Sequence, residues 1–141
     1  MTGTAYGKFA MHLAQGVNLL TSQVKAMLVD DSYTLDIHNH EFTFDLGVAE
    51  VTGVGYTPGG IALTNRTLTY DPVLRSAKFD ADDLAFGSVY VNDLAAVIVY
   101  IDQGSPQANI LVAHHPVSPQ NVTGEAFTYY WHADGVLNFT V

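Results

Sequence analysis

The residues of this chain best spaced to hold a metal ion are an aspartate and two histidines that alternate, Asp36, His38 and His40. On a strand, all three side chains would project from one face, as the ligands of a zinc ion can. The alternative is a polar loop whose histidines are solvated. We favour the loop, because this spacing alone fixes no convergent geometry and no third histidine is placed to complete the site.

A second pair of histidines, His114 and His115, directly precedes Pro116. Adjacent residues of a strand point to opposite faces, so these two imidazoles cannot share one ion without a bend. We predict that both are exposed at the end of a strand.

Three aspartates, Asp80, Asp82 and Asp83, resemble part of a calcium-binding loop. They lack the glycine and the distal glutamate of an EF-hand, and a strand pattern precedes them. Aspartate side chains bond to nearby backbone amides in turns, so we expect a turn here, with a weak calcium site as the lesser alternative.

The residues that could carry out catalysis do not form a recognisable pattern. No serine lies in the glycine pattern of a nucleophile elbow. The glycines between Gly53 and Gly60 lack the lysine and the following helix of a phosphate-binding loop. We therefore predict that the protein is not an enzyme, with no catalytic residue and no cofactor.

The composition points instead to contact with other proteins. Hydrophobic residues make up 48% of the chain and charged residues 13%, against a usual charged share of about 25%. Since large apolar patches are seldom left bare, we expect copies of the chain or another protein to cover part of the surface.

Charge and hydropathy also bear on the partners. The net charge of −9, with no basic run, argues against direct binding of nucleic acid. The longest apolar run, Leu94 to Ile101, is too short to cross a membrane as a helix. Residues Met1 to Gly16 lack a signal-peptide pattern, so we expect a soluble protein made in the cytoplasm, with no membrane partner. The absence of cysteine excludes disulfides and thiolate metal sites.

One helix is predicted near the N-terminus, capped by Thr4 and ended by Gly16. Apolar residues recur there at three- and four-residue spacing: Tyr6, Phe9, Ala10, Leu13 and Val17. We favour packing of this stripe on the domain's own sheet. The alternative is an arm that docks on a neighbouring subunit through Tyr6, Phe9 and Leu13.

The remaining chain predicts strands separated by turns. The predicted strands are Gln23–Val29, Ile61–Thr64, Arg66–Tyr70, Ser76–Phe79, Leu94–Ile101, Asn109–Ala113, Ala126–Trp131 and Val136–Val141. Asp134-Gly135 predicts a hairpin that joins the last two. Residues Tyr33 to Glu50 leave two forms open. Phe42, Phe44 and Leu46 alternate as in a short half-buried strand, whereas Asp45 to Glu50 could form a helical turn.

This pattern predicts a mainly β fold, a single-domain β-sandwich or jelly-roll-like arrangement with one N-terminal helix. Residues 1–20 would form the helix or arm and residues 21–141 the sandwich. Aromatic residues are concentrated between Phe127 and Trp131. Alternation in a strand would place some of them in the core and others, among them Tyr129 and Trp131, at an interface.

The stretch from Gly55 to Phe86 resembles a family of small virion proteins of tailed bacteriophages. Members show a pattern close to GYTxGGxxLTxxxxTYD followed by AxFDADDxxW. This chain carries Gly55-Tyr56-Thr57-Pro58-Gly59-Gly60, Leu63-Thr64, Thr69-Tyr70-Asp71 and Ala77-Lys78-Phe79-Asp80-Ala81-Asp82-Asp83, with Phe86 at the aromatic position.

The resemblance implies a structural component of the virion, located on the capsid surface as a decoration or cement protein. The implied partners are the major capsid protein and further copies of the chain in a homo-oligomer. Two alternatives stay open. One is a tail or head–tail joining protein, and the other is a carbohydrate- or host-surface-binding β module that uses the Tyr129 to Trp131 region.

Overall fold

The computed structural model describes residues 3–140, which form a β-sandwich of two antiparallel sheets with one short α-helix. The strands are β1 (Thr4–Ala5), β2 (Val24–Asp30), β3 (Ile61–Ala62), β4 (Thr67–Asp71), β5 (Ser76–Asp80), β6 (Leu84–Ile101), β7 (Ile110–Tyr129) and β8 (Leu137–Thr140). The α-helix α1 spans Phe9–Ala14, and a 3₁₀ helix spans Thr43–Leu46. The predicted mainly β class is confirmed.

The larger sheet has the strand order β1-β7-β6-β2-β3, which places β6 at its centre. Residues Ala96 to Ile101 of β6 are all buried. A continuous apolar run is the pattern of a strand covered on both faces. The prediction of a central buried strand ending at Ile101 is therefore confirmed.

Strands β6 and β7 form a long hairpin of 18 and 20 residues. The sequence predicts two separate strands, Asn109–Ala113 and Ala126–Trp131, and this is wrong because both belong to β7. The pairing register shifts at several points, and Gly87 and Asp93 of β6 have positive φ angles of 75° and 55°. Bulges of this kind interrupt the alternation by which a strand is recognised in a sequence.

The smaller sheet has the order β4-β5-β8. The predicted hairpin between the last two strands is wrong: a turn forms at Ala133–Asp134, closed by the Gly135 N–H on the His132 carbonyl, but β8 pairs with β5. The backbone N–H of Val136 donates to the carbonyl of Phe79 at 2.8 Å. This bond directs the chain onto the smaller sheet rather than back along β7.

The segment between β2 and β3 crosses one face of the larger sheet. Its first part runs beside β7, where Phe42 bridges Ile110, and its end lies beside β2, where Glu50 bridges Val29. These two contacts lie on opposite sides of β6. Of the two predicted forms, the helical turn is closer to the structure. The 3₁₀ helix begins at Thr43, two residues before the predicted start at Asp45.

The N-terminal segment packs on the protein's own core, as favoured from the sequence. Thr4 pairs with His114 in β1, so it does not cap the helix, which begins only at Phe9. Tyr6 and Phe9 are buried. No helix among the described residues is long and apolar enough to cross a membrane.

The glycine-rich stretch that follows Val51 lies directly against two strands. A Cβ atom on Gly55 would come within 2.1 Å of the Ser88 carbonyl oxygen in β6, and one on Gly60 within 1.8 Å of the Ala26 carbonyl oxygen in β2. Gly60 also has a φ angle of +76°. Only glycine allows this combination of backbone angle and close approach.

Candidate interaction surface

The smaller sheet has one apolar face and one polar face, because side chains alternate along each strand. Across the three strands, Leu68, Phe79 and Leu137 lie opposite one another, and so do Tyr70, Ala77 and Phe139. Phe79 and Leu137 are buried in the core.

The protein's own core covers only part of this apolar face. Leu68 is 51% exposed and Tyr70 is 58% exposed, while Ala77 and Phe139 are half-buried. Together Leu68, Tyr70, Ala77 and Phe139 form what we call the open apolar face. It continues into a groove of about 420 Å³, whose opposite wall is the chain from Leu13 to Leu20. Apolar surface of this kind marks a contact site.

The hairpin that joins β4 to β5 extends this surface. Val73 and Leu74, at the turn, are 87% and 70% exposed. The Asp71 carboxylate accepts hydrogen bonds from the backbone N–H groups of both residues, at 2.8 and 3.1 Å. The carboxylate therefore fixes the turn in a form that holds two apolar side chains in solvent.

Strand β4 also has a free backbone edge. The Phe79 carbonyl accepts from Val136, so the backbone groups of Phe79 face β8 and those of its neighbours Lys78 and Asp80 face β4. Thr67 and Thr69, which lie opposite them, therefore bond inward. The N–H and C=O groups of Leu68 and Tyr70 point out of the sheet.

This edge lacks the features that usually prevent strand pairing. Within Thr67–Asp71 there is no proline and no lysine, and the pairing with β5 has no bulge. All five residues are exposed. The one charged residue, Asp71, lies at the end of the strand and bonds to the turn.

The candidate metal ligands lie in a turn rather than on a strand. The Asp36 carboxylate accepts bonds from the backbone N–H groups of His38 and Asn39, at 3.3 and 3.1 Å. His40 is bonded through Nδ1 to the Tyr33 hydroxyl at 2.7 Å. Within residues 3–140, no three histidine or acidic side chains are placed to hold a metal ion.

The prediction for His114 and His115 is wrong, because β7 continues beyond Pro116. Proline lacks an N–H group, and it is accommodated where the β6–β7 register shifts, opposite Ala96. His115 is fully buried and His114 half-buried. They point to opposite faces, as expected: the ring of His114 lies against Tyr33, whereas His115 faces the smaller sheet.

His115 is held by two groups of the core. Its Nε2 lies 3.0 Å from the Val136 carbonyl oxygen, and its Nδ1 lies 3.4 Å from the Tyr129 hydroxyl. An Nε2–H group that donates to Val136 leaves Nδ1 to accept from Tyr129. Burial lowers the pKa of His115 to about 4, since a charged imidazole would lose its hydration there.

The three aspartates of the predicted turn hold the structure together. Asp80 makes the local bond expected of a turn, to the N–H of Ala81. The Asp82 carboxylate instead accepts from the side chain of Asn65 at 2.6 Å, and the Asp83 carboxylate accepts from the backbone N–H of Trp131 at 3.0 Å. The carboxylates of Asp82 and Asp83 are thus bonded to segments that are distant in the sequence, whereas that of Asp80 is bonded to its neighbour.

The residues predicted for an interface lie mostly in the core. Tyr6, Phe9 and Tyr129 are buried, and Leu13 and Trp131 are half-buried. Leu13 alone borders the groove beside the open apolar face. The rings of Tyr129 and Trp131 pack edge-on against His115.

Leu68 and Tyr70, the most exposed residues of the open apolar face, are not among the interface residues predicted from the sequence. The signal that could have identified them is the alternation of Thr67 to Asp71 ahead of two apolar turn residues. Such a strand carries Leu68 and Tyr70 on one face. The short turn that follows it cannot cover that face.

A cleft of about 730 Å³ lies between the crossing segment and the larger sheet. The charged and phenolic side chains that line it, Glu50 and Tyr100, already have hydrogen-bond partners. The Glu50 carboxylate accepts from the Tyr56 hydroxyl and from the Gly59 N–H, both at 2.7 Å, and the Tyr100 hydroxyl donates to the Gly59 carbonyl at 2.6 Å. Burial raises the pKa of both tyrosines, which keeps their hydroxyls protonated. We therefore place the candidate site at the open apolar face.

No family model, no curated protein sequence and no solved structure matches this chain.

Proposed function

We propose that the protein is a structural component of a tailed-bacteriophage virion, which binds the assembled capsid as a homo-oligomer and stabilises it. The proposal starts from the sequence pattern between Gly55 and Phe86 and its resemblance to small virion proteins. The geometric observation that carries it is the open apolar face with its exposed turn, a surface suited to contacts with other proteins.

The arrangement of the patterned residues supports this function. Most of them fix the fold: Gly55 and Gly60 approach strands closely, Leu63 and Phe79 are buried, and Asp82 bonds to Asn65. The segment Thr69-Tyr70-Asp71 differs, because it lies on the exposed edge strand. The Tyr70 side chain is 58% exposed. A pattern that builds a scaffold and presents one exposed strand fits a protein whose work is binding.

Modest contacts are sufficient for such a protein. Each copy on a symmetric particle repeats the same contact, so weak interfaces add up to a stable layer. A surface with few charges and an apolar hairpin supplies contacts of this kind.

Electron microscopy of particles made by the genome that carries this gene tests the proposal. We expect density that fits the sandwich, repeated over the icosahedral surface, with the β4–β5 hairpin at a protein contact. A ring of copies at a single vertex would favour the tail or head–tail alternative. Particles without the protein would refute a virion role.

A cosedimentation assay adds a matched pair of variants. Purified protein is mixed with particles that lack it, and the bound fraction is compared for Leu74→Ser and for Thr123→Ser. Leu74 lies on the exposed turn, whereas Thr123 is exposed on β7, in the other sheet. We expect Leu74→Ser to reduce binding and Thr123→Ser to leave it unchanged. Equal binding of both variants would place the capsid contact elsewhere.

The carbohydrate-binding alternative has one exposed residue in its favour, Tyr130, which is 71% exposed. Its neighbours Tyr129 and Trp131 already contact His115, and the Trp131 indole N–H donates to the Asp82 carbonyl at 2.9 Å. Glycan-array binding that is lost in Tyr130→Ala would favour this alternative over the virion role.

A further inference from the structure

We propose that two copies of this chain associate through the free edge of β4, paired antiparallel with β4 of the second copy about a twofold axis at Thr69. This proposal rests on the proposed function in one respect: both require that copies of the chain associate. It names the strand, the register and the symmetry of that association.

The backbone of β4 is already arranged for this pairing. The outward N–H and C=O groups belong to Leu68 and Tyr70, whereas Thr69 bonds inward to β5. With Thr69 opposite Thr69, each Leu68 lies opposite Tyr70 of the other copy. These are the residues with free groups, so each Leu68–Tyr70 pair exchanges both of its N–H···O bonds. The three-stranded sheets of the two copies then join into one continuous six-stranded sheet.

The side chains of β4 are self-complementary in the same register. The strand reads polar, apolar, polar, apolar, polar in either direction, from Thr67 to Asp71. Leu68 therefore meets Tyr70 on the apolar face, and Asp71 meets Thr67 on the polar face. No like charges lie opposite each other, and the open apolar faces of the two copies join. This symmetry is why we assign a second copy, rather than a different protein, to the edge.

The neighbouring registers fit less well. A shift that places Tyr70 opposite Tyr70 puts Leu68 opposite Pro72, which has no N–H to donate. The opposite shift pairs Tyr70 with Arg66, which lies outside the strand. The Arg66 guanidinium already donates to the carbonyls of Leu19, at 2.8 Å, and Ser22.

A cysteine cross-link tests the register directly, because the chain contains no cysteine. Opposed residues of a non-hydrogen-bonded pair have Cα atoms about 4.5 Å apart, which suits a disulfide. We expect Thr69→Cys to form a cross-linked dimer under mild oxidation, seen on non-reducing gels. Thr67→Cys is the matched control: it lies on the same strand and face, but far from its counterpart in this register.

Charge variants provide a second test in solution. Light scattering of the unmodified protein should give twice the chain mass of 15.2 kDa. Thr69→Lys puts two lysines opposite each other and should raise the dimer dissociation constant about fivefold. Thr67→Lys faces Asp71 of the other copy and should leave the constant unchanged or lower it. Mixing Thr69→Lys with Thr69→Glu should restore the dimer.

Three outcomes would overturn the inference. These are a monomeric mass at every concentration, equal cross-linking of the two cysteine variants, or a dimer that Thr69→Lys leaves intact. Circular dichroism spectra that match those of the unmodified protein would confirm that the variants fold. The assays use isolated protein, so their failure is distinct from a failure of capsid binding, which the particle assay measures.

Discussion

The C-terminal end of β6 and the whole of β4 are strand segments of similar length in opposite surroundings. Residues Val97 to Ile101 are all buried, whereas Thr67 to Asp71 are all exposed. The first lies between the crossing segment on one face and the smaller sheet on the other. The second has a neighbouring strand on one side only. Stability therefore resides mainly in the larger sheet, and the smaller sheet's edge is free to serve contacts.

This contrast predicts a large difference between two leucine truncations. Leu111→Ala removes a fully buried side chain from β7 and should lower the free energy of unfolding by about 3 kcal/mol. Leu68→Ala, on the exposed strand, should change it by less than about 0.5 kcal/mol. Urea unfolding of both variants, at a concentration where the protein is monomeric, measures the difference. Similar losses would show that β4 belongs to the stabilising core.

The buried imidazole of β7 should make stability depend on pH. The pKa of His115 is about 4 in the folded protein and about 6.5 in the unfolded chain. Between these values the unfolded chain takes up a proton that the folded protein does not. The free energy of unfolding should therefore fall as the pH drops from about 6.5 to about 4, by about 3 kcal/mol in total.

Urea unfolding at a series of pH values tests this. Burial also lowers the pKa of His114, which adds a contribution of the same sign. His115→Gln should remove the larger part of the pH dependence, whatever its effect on stability at neutral pH. Val73→Ser, which changes an exposed side chain without a titratable group, is the control and should keep the unmodified curve. An unchanged slope in His115→Gln would refute the assignment to this residue.

Removing one tyrosine hydroxyl should have a smaller effect, and only in the larger sheet. The Tyr56 hydroxyl donates to Glu50 and accepts from the buried N–H of Leu28 at 3.2 Å. Tyr56→Phe leaves both groups without this partner and should cost about 1–2 kcal/mol. Tyr70→Phe, at the open apolar face, should cost nothing measurable. Thermal unfolding of the two variants compares them, and equal shifts would contradict the contrast.

The smallest effect on stability is expected at the exposed turn. The double variant with Val73→Ser and Leu74→Ser should keep its free energy of unfolding within about 0.5 kcal/mol, because neither side chain is packed. It should bind less of the dye ANS, which reports exposed apolar surface. A marked loss of stability would mean that the turn is part of the core.

The sequence predicts the strands that alternate regularly and fails where bulges intervene. Strands β2, β4 and β5 lie within a residue or two of their predicted limits. The first half of β6, ahead of the predicted start at Leu94, is missed because the spacing of its buried residues, Leu84, Val89 and Val91, changes around Gly87, and Asp93 adds a second irregularity. A bulge shifts the apolar positions, so the two-residue period is lost.

Contacts between residues far apart in the sequence are the second limit on what the sequence predicts. The sequence shows that His114 and His115 face opposite ways, but the burial of His115 depends on Tyr129 and Val136, which are brought to it by the fold. Tyr6 and Phe9 of the predicted helix stripe lie in the core, as the favoured packing on the domain's own sheet required. The candidate surface exists because no other segment packs over Leu68. That exposure can be seen only in the folded structure.

The pairing of β8 with β5 has a consequence for the order of folding. Strands β6 and β7 are neighbours in sequence, so their hairpin closes a short loop and can form early. Strand β8 must return past this whole hairpin to bring Leu137 beside Phe79. We therefore expect the smaller sheet to be completed late, and β5 has an unpaired edge of its own until β8 docks. Until then a nascent or partly folded chain exposes the edge of β5 as well as that of β4, which makes prompt docking of β8 a safeguard against misassembly.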